Sequence, residues 1–325
     1  MNLESALPHL PRPILLNLNL TENCQSKCKT CDYWKTKWED YISSGRAGEL
    51  LQEGKNLGIQ YVRFAGGEPL LRRDFFDILA RLRNQDYKKV TLATNGLLLS
   101  KYHKQINSSV ITNVTVSLDG VGEVNDEIRG VKGHYDRVIK TLSYLKKKIK
   151  IVSTFTNKLI PNLEQIIAFC QENNYDYDIN LPDTSMYFVS SKEVRKEIES
   201  LWPTKPEVYK GLEILKNKGI LPNLFFSNAS KFLNEHQFIF NHCILGFFEI
   251  NIDSRGDVRT GCNVYEPVGN ILDTSLEHIV NSNEYIKDAR KMFNLECPLC
   301  TCGFRISALY NQPWFGINYI RKRLK

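Results

Sequence analysis

Six short apolar or β-branched runs, each followed by a stretch of helical periodicity, constrain this chain more than any other feature. The runs are residues 14–20, 59–65, 89–94, 113–118, 150–155 and 177–181, and each reads as a buried strand. Apolar residues three and four apart lie between them: Phe75, Phe76, Leu79, Ala80 and Leu82, then Val138, Leu142 and Leu145, then Leu163, Ile166, Ile167 and Cys170. Such alternation requires right-handed crossovers and a parallel sheet under helices, as an open doubly wound sheet or a full or partial barrel. Chemistry in these folds gathers at the C-terminal strand ends. There the sequence places Cys24, the stretch from Gly66 to Pro69, Asn95 with Gly96, Asp119 with Gly120, Asn157, and Pro182 with Asp183. Loops on one rim predict one site.

The 325 residues are 42% hydrophobic and 24% charged, which excludes collagenous, coiled-coil and wholly disordered chains. The N-terminal residues lack the basic and apolar segments of a secretion signal. The most apolar stretch, 238–252, contains Asn241, His242, Glu249 and Asn251, short of the ~20 apolar residues that span a bilayer. A cytoplasmic protein with no membrane partner is expected, and in a reducing compartment the nine cysteines are more readily metal ligands or catalysts than disulfides. Net charge is +7. Its clusters, Lys146, Lys147, Lys148 and Lys150 and then Arg321, Lys322, Arg323 and Lys325, read as solvated cations rather than a nucleic-acid footprint.

After a helical stretch over 192–218, broken at Trp202-Pro203, residues 247–262 read as a hairpin turning at Asp253 to Asp257. Five cysteines lie in this last third. Cys24, Cys28 and Cys31 form a C-x3-C-x2-C set, and three thiolates that close together wrap one metal centre while leaving a coordination position open. An iron–sulfur cube normally takes four cysteines, so a three-cysteine cube keeps one iron for a ligand. Part of a zinc knuckle is the alternative. Cys243, Cys262, Cys297 and Cys300 offer four more thiolates, and on spacing alone both structural zinc and a cluster stay open.

These features resemble the radical SAM superfamily over residues 13–303. Gly66-Gly67-Glu68-Pro69 looks like the family's GGEP element, which implies that its backbone and Glu68 hold the amino group of S-adenosyl-L-methionine. Residues 116–120, with Ser117 and Asp119, look like the segment that meets the ribose and carboxylate, and the resemblance places Asn95 in the same cofactor set. Arg129 is the implied carboxylate partner, since a guanidinium fork matches a carboxylate. Thr30 departs from the family, which often has an aromatic there. Stacking on the adenine then falls to Tyr33 or Trp34, and a place in the core suits both equally.

The cysteines of the last third, with Val268-Gly269-Asn270-Ile271 and a helix over 275–281, resemble the twitch domain, a shortened relative of the SPASM domain with one auxiliary 4Fe-4S cluster. Cys300 or Cys302 completes its ligands; Cys302 otherwise packs inertly or donates a hydrogen atom as a catalytic thiol. Cys170 reads as a small buried hydrophobe. The expected architecture is α/β: a partial (β/α)6 barrel of the radical SAM type over 13–225, a small twitch-like α+β auxiliary-cluster domain over 240–303, and a basic extension over 304–325.

The resemblance implies two 4Fe-4S clusters, an electron donor of the flavodoxin or ferredoxin kind, and cleavage of S-adenosyl-L-methionine to a 5'-deoxyadenosyl radical that takes a hydrogen atom from a substrate. Only about a dozen residues precede the first strand, where many peptide-modifying relatives carry a leader-recognition domain. A small-molecule substrate of the sugar, aminocyclitol or nucleoside type is therefore favoured, ending in oxidation with the auxiliary cluster as electron acceptor. Epimerisation, decarboxylation and ribosomal-peptide maturation are the alternatives within the family. A zinc-stabilised nucleic-acid-binding module is the alternative from another class.

Overall fold

Alternation of residue type along each strand sets the architecture. The computed structural model describes residues 13–35, 42–184, 191–220, 223–237, 241–261 and 264–296. Its first six strands are β1 (Leu15–Thr21), β2 (Tyr61–Gly66), β3 (Lys89–Thr94), β4 (Asn113–Ser117), β5 (Lys148–Thr154) and β6 (Asp176–Asn180). They pair in sequence order and every pair is parallel. The crossovers run through helices Ser44–Asn56, Phe75–Arg81, Leu99–Ser108, Glu123–Arg129 with His134–Leu142, and Leu163–Glu172.

Sequential parallel pairing with crossovers of one hand puts these helices on one face of the sheet. The core forms there, with Leu16, Leu18, Val62, Phe64, Leu92, Val114 and Ile151 packed against Leu50, Phe75, Ile78, Ile106, Val138 and Ile166. Full burial of each such side chain contributes roughly 1.5–3 kcal/mol. Cys170 lies in the same core, 1% exposed.

One expectation needs correction: the strands are not buried on both faces. Asn17 and Asn19 of β1, Arg63 of β2, Lys89 and Thr91 of β3, Asn113, Thr115 and Ser117 of β4, and Lys150 of β5 alternate with the core residues. Period-two alternation puts them on the face turned away from the helices. That inner face is polar.

The sheet does not close into a barrel. Beyond β1 it continues with β7 (Glu249–Ile252), parallel to β1 with Leu15 opposite Glu249, and then with the antiparallel β8 (Asp257–Arg259) and β9 (Gly269–Asn270). The full order is β6-β5-β4-β3-β2-β1-β7-β8-β9, so the hairpin shares a sheet with the parallel strands. Its first strand starts later than expected, because residues 247 and 248 close the short helix Leu245–Phe248. The long helical stretch is two helices, Lys192–Ser200 and Lys205–Asn217, the second begun by a capping box in which Glu207 accepts from Thr204 N at 2.8 Å. Among the described residues, no helix is long and apolar enough to cross a membrane.

Candidate active site

The loop leaving β1 carries Cys24, Cys28 and Cys31, and the end of β2 and helix Glu123–Arg129 hold it. Gly67 N donates to Thr21 O at 2.7 Å, Glu68 N to Asn23 O at 2.8 Å and Lys29 N to Ile128 O at 2.9 Å. The two glycines of the Gly-Gly-Glu-Pro stretch make this approach possible. Gly66 has φ +115°, and a Cβ there would strike Thr21 O; a Cβ on Gly67 would strike Asn23 O. No other residue brings two backbones this close without displacement.

Each thiol has an N–H donor. Asn95 Nδ2 lies 3.6 Å from Cys24 Sγ, Arg129 Nη1 lies 3.8 Å from Cys28 Sγ, and Tyr33 N lies 3.5 Å from Cys31 Sγ. Burial pushes the Cys24 thiol up to about 11 and also raises Cys28 and Cys31, with further raising of Cys24 and Cys31 by Cys28. Three such thiols ionise together only when a cation neutralises them, as iron does. Among the described residues no three His, Cys, Asp or Glu side chains meet closely enough for a single metal ion. Three thiolates on one loop are the donor set that a three-cysteine cube takes, one to each of three iron corners.

Glu68 is fully buried, and its carboxylate accepts from Thr94 Oγ1 at 2.9 Å, Asn95 N at 2.8 Å and Leu70 N at 3.1 Å. Burial nevertheless pushes its pKa up to about 7. The carboxylate thus bolts the end of β2 to the end of β3. Asn95 Oδ1 in turn caps Leu97 N at 3.0 Å, which turns its Nδ2 toward Cys24.

The end of β4 supplies a buried charge. Asp119, 0% exposed, accepts from Thr154 N at 2.6 Å through Oδ1 and faces Arg129 Nε at 2.7 Å through Oδ2. Arg129 therefore lies between a carboxylate and the Cys28 sulfur. Ser117 is half-buried on the inner face. Asn157 does not join the site; its Nδ2 and N donate to the carbonyls of Ser200 and Leu201, both at 3.0 Å.

Sequence reading missed two supports. Asp32, next to Cys31 and 4% exposed, accepts from Ser191 N at 2.7 Å and Ser191 Oγ at 2.8 Å, clasping the cysteine loop to helix Lys192–Ser200. His134, fully buried, meets Asn125 at 2.9 Å, and Asn125 Oδ1 accepts from Asp119 N at 3.0 Å. A histidine directly after Gly133, opening an amphipathic helix, was the available signal. Tyr33 and Trp34 are half-buried in a 3-10 turn outside the core, with Lys27 and Lys35 ammonium groups 5.9 and 5.4 Å from the Trp34 ring.

Of the second cysteine group, Cys243 is buried against Leu245 and Met292. Cys262, Cys297, Cys300 and Cys302 lie outside the described residues. Cys243 precedes β7, whereas Cys24 follows β1, and the two strands run parallel. Cys243 and the first cysteine group therefore lie at opposite ends of one strand pair, and β1, with 7 residues, spans roughly 20 Å.

Residues 18–172 match the radical SAM superfamily and residues 243–303 match SPASM, an iron-sulfur cluster-binding domain. The chain is similar to a probable GTP 3',8-cyclase of Methanococcus maripaludis, 30% identical over 166 residues that make up 48% of this chain and 54% of that protein. It is also similar to Fe-coproporphyrin III synthase of Methanosarcina barkeri, 32% identical over 143 residues, 42% of this chain and 35% of that one. The chain thus spans between about a third and about half of the length of these relatives. Its fold is similar to Streptococcus suis SuiB bound to the precursor peptide SuiA, with TM-score 0.70 and 19% identity over 92% of this chain and 74% of that one. S-adenosylmethionine is bound in another SuiB structure. The two matched domain types imply a 4Fe-4S cluster that binds S-adenosylmethionine and an auxiliary 4Fe-4S cluster. From the residues matched and the strand ends they occupy, the chain belongs to the radical SAM superfamily and carries a C-terminal SPASM iron–sulfur domain.

Proposed function

We propose that this chain is a radical SAM oxidoreductase that oxidises a small molecule, with the auxiliary cluster accepting the second electron. The observation that carries the radical SAM part is the convergence of Cys24, Cys28 and Cys31 with Asn95, just after β3, and Arg129, at the end of helix Glu123–Arg129. When bound, the cluster and S-adenosylmethionine supply a 5'-deoxyadenosyl radical that takes a hydrogen atom from a C–H bond. The chain's own residues bind, orient and exclude water. Cys24, Cys28 and Cys31 hold the cluster, and Asn95 and Arg129 stabilise charge on two of the sulfurs. Gly66, Gly67, Glu68, Ser117 and Asp119 shape the bed for the methionine and ribose groups, and Cys243, Cys262, Cys297 and Cys300 hold the auxiliary cluster.

The polar inner face of the sheet lies beside this rim and is the proposed substrate side. The relatives named as a GTP cyclase and a coproporphyrin synthase support a small molecule. Peptide maturation is the second reading, favoured by the likeness in fold to peptide-bound SuiB. A flavodoxin- or ferredoxin-like donor and a cytoplasmic setting complete the proposal. Anaerobic incubation with reductant and S-adenosylmethionine tests it. Formation of 5'-deoxyadenosine, rising with small-molecule candidates and not with peptides, is expected, with no solvent deuterium fixed in the product. Deuterium in the product would indicate redox-neutral epimerisation, and a response to peptides alone would favour maturation.

A further inference from the structure

The inner face of the sheet carries charge that the cofactor site does not use. Arg63 on β2 stands opposite Thr91 on β3, and Tyr61 opposite Lys89. Arg63 and Lys89 are therefore diagonal neighbours on adjacent strands, about 8 Å apart at Cα, and two long side chains at that spacing reach a common point. Both are half-buried.

Among the described residues neither makes a hydrogen bond or an ion pair. The neighbouring lysines differ: Lys148 is 3.4 Å from Asp176 and Lys150 is 3.3 Å from Asp178. Glu249, on the far side of β1, is occupied by Asn17 Nδ2 at 2.7 Å. The remaining segments of the sequence contribute three acidic residues, Glu4, Glu39 and Asp40, with none after Glu296. Burial and then Lys150, Lys148 and Arg63 hold the Lys89 ammonium below its ordinary pKa, with Asp176 offsetting part of that positive field.

Polar groups surround the pair. Asn17 stands opposite Arg63, and Asn113 opposite Thr91. A guanidinium fork and a point ammonium within reach of a common point are the chemistry that binds a phosphate, and two cations match its double charge. Arg63 precedes Gly66 by three residues, which puts the pair roughly 10 Å along β2 from the cofactor rim. A substrate held there by one end presents its other end to the rim.

Resting on the reading of this face as the substrate side, we infer that Arg63 and Lys89 form an anion subsite that holds a phosphate group of a small substrate. Calorimetric titration of the full chain with inorganic phosphate at low ionic strength tests this, with succinate as the parallel carboxylate probe. Phosphate should bind, and Arg63→Gln and Lys89→Gln should each weaken it by about tenfold or more. Lys104→Gln, on the exposed side of helix Leu99–Ser108, should leave it unchanged. Equal thermal midpoints for all four proteins show that folding is not the cause. Absent phosphate binding, or binding untouched in both subsite variants, overturns the inference, and succinate binding as tightly overturns its assignment to phosphate. Formation of 5'-deoxyadenosine by the unsubstituted chain is scored separately. A chain that binds phosphate through these residues without cleaving S-adenosylmethionine contradicts the proposed function while supporting the subsite.

Discussion

Arg129 faces a buried carboxylate on one side and the Cys28 sulfur on the other, so its removal has consequences for both. Arg129→Met leaves Asp119 buried beside no cation, and a loss of about 3–5 kcal/mol in urea unfolding is expected; an unchanged midpoint would mean that Asp119 is compensated elsewhere. His134 gives a pH signature. Burial, then Arg129, depresses its pKa to about 4, so between about pH 6.5 and 4 the unfolded chain binds a proton that the folded chain refuses. Stability therefore falls with acidification through that window, by about 2 kcal/mol from pH 7 to pH 5. His134→Gln should flatten that slope, and an identical slope in the variant would remove His134 as its source. The three cysteines, Glu68 and Asp119 were visible in the sequence because they fell at or just after strand ends, and Arg129 only through the resemblance to the radical SAM superfamily. The pairing of Asp119 with Arg129 was not, because composition does not say which way a guanidinium turns. Asp32 was invisible for a simpler reason: its partner Ser191 is 159 residues away.

Elements hold the site through close backbone approach rather than through side chains alone. Gly67→Ala would drive a Cβ against the carbonyls of Glu22 and Asn23, and a loss of about 1–3 kcal/mol with faster amide exchange in residues 22–35 is expected. Native exchange there would show that the loop yields without cost. Asp32→Ala should speed exchange at the start of helix Lys192–Ser200 and leave β1 to β4 protected. The alternation of strand and helix was legible because each element repeats its own period. The polar inner face was legible too, in Asn17 and Asn19 among Leu16, Leu18 and Leu20, yet such short runs also read as fully buried strands. The start of β7 was ambiguous because an apolar run from Ile244 to Phe248 suits a helix as well as a strand.

At the scale of the whole molecule, β7 beside β1 makes one sheet of nine strands. No local signal names the edge on which a hairpin will dock, so this pairing was not legible. It ties the segment after Cys243 to the strand that leads to Cys24. Two cubes predict iron close to eight per chain, falling to about four when Cys243, Cys262 and Cys297 are replaced together. Iron near four in the unsubstituted, fully reconstituted chain would leave the second group without a cube. The most direct measurement is 5'-deoxyadenosine formed from S-adenosylmethionine under anaerobic reduction, in the reconstituted chain and in Cys28→Ala with matching circular dichroism. The unsubstituted chain should form it and the variant should form none; formation at the same rate in both would contradict the role given to the cysteine loop.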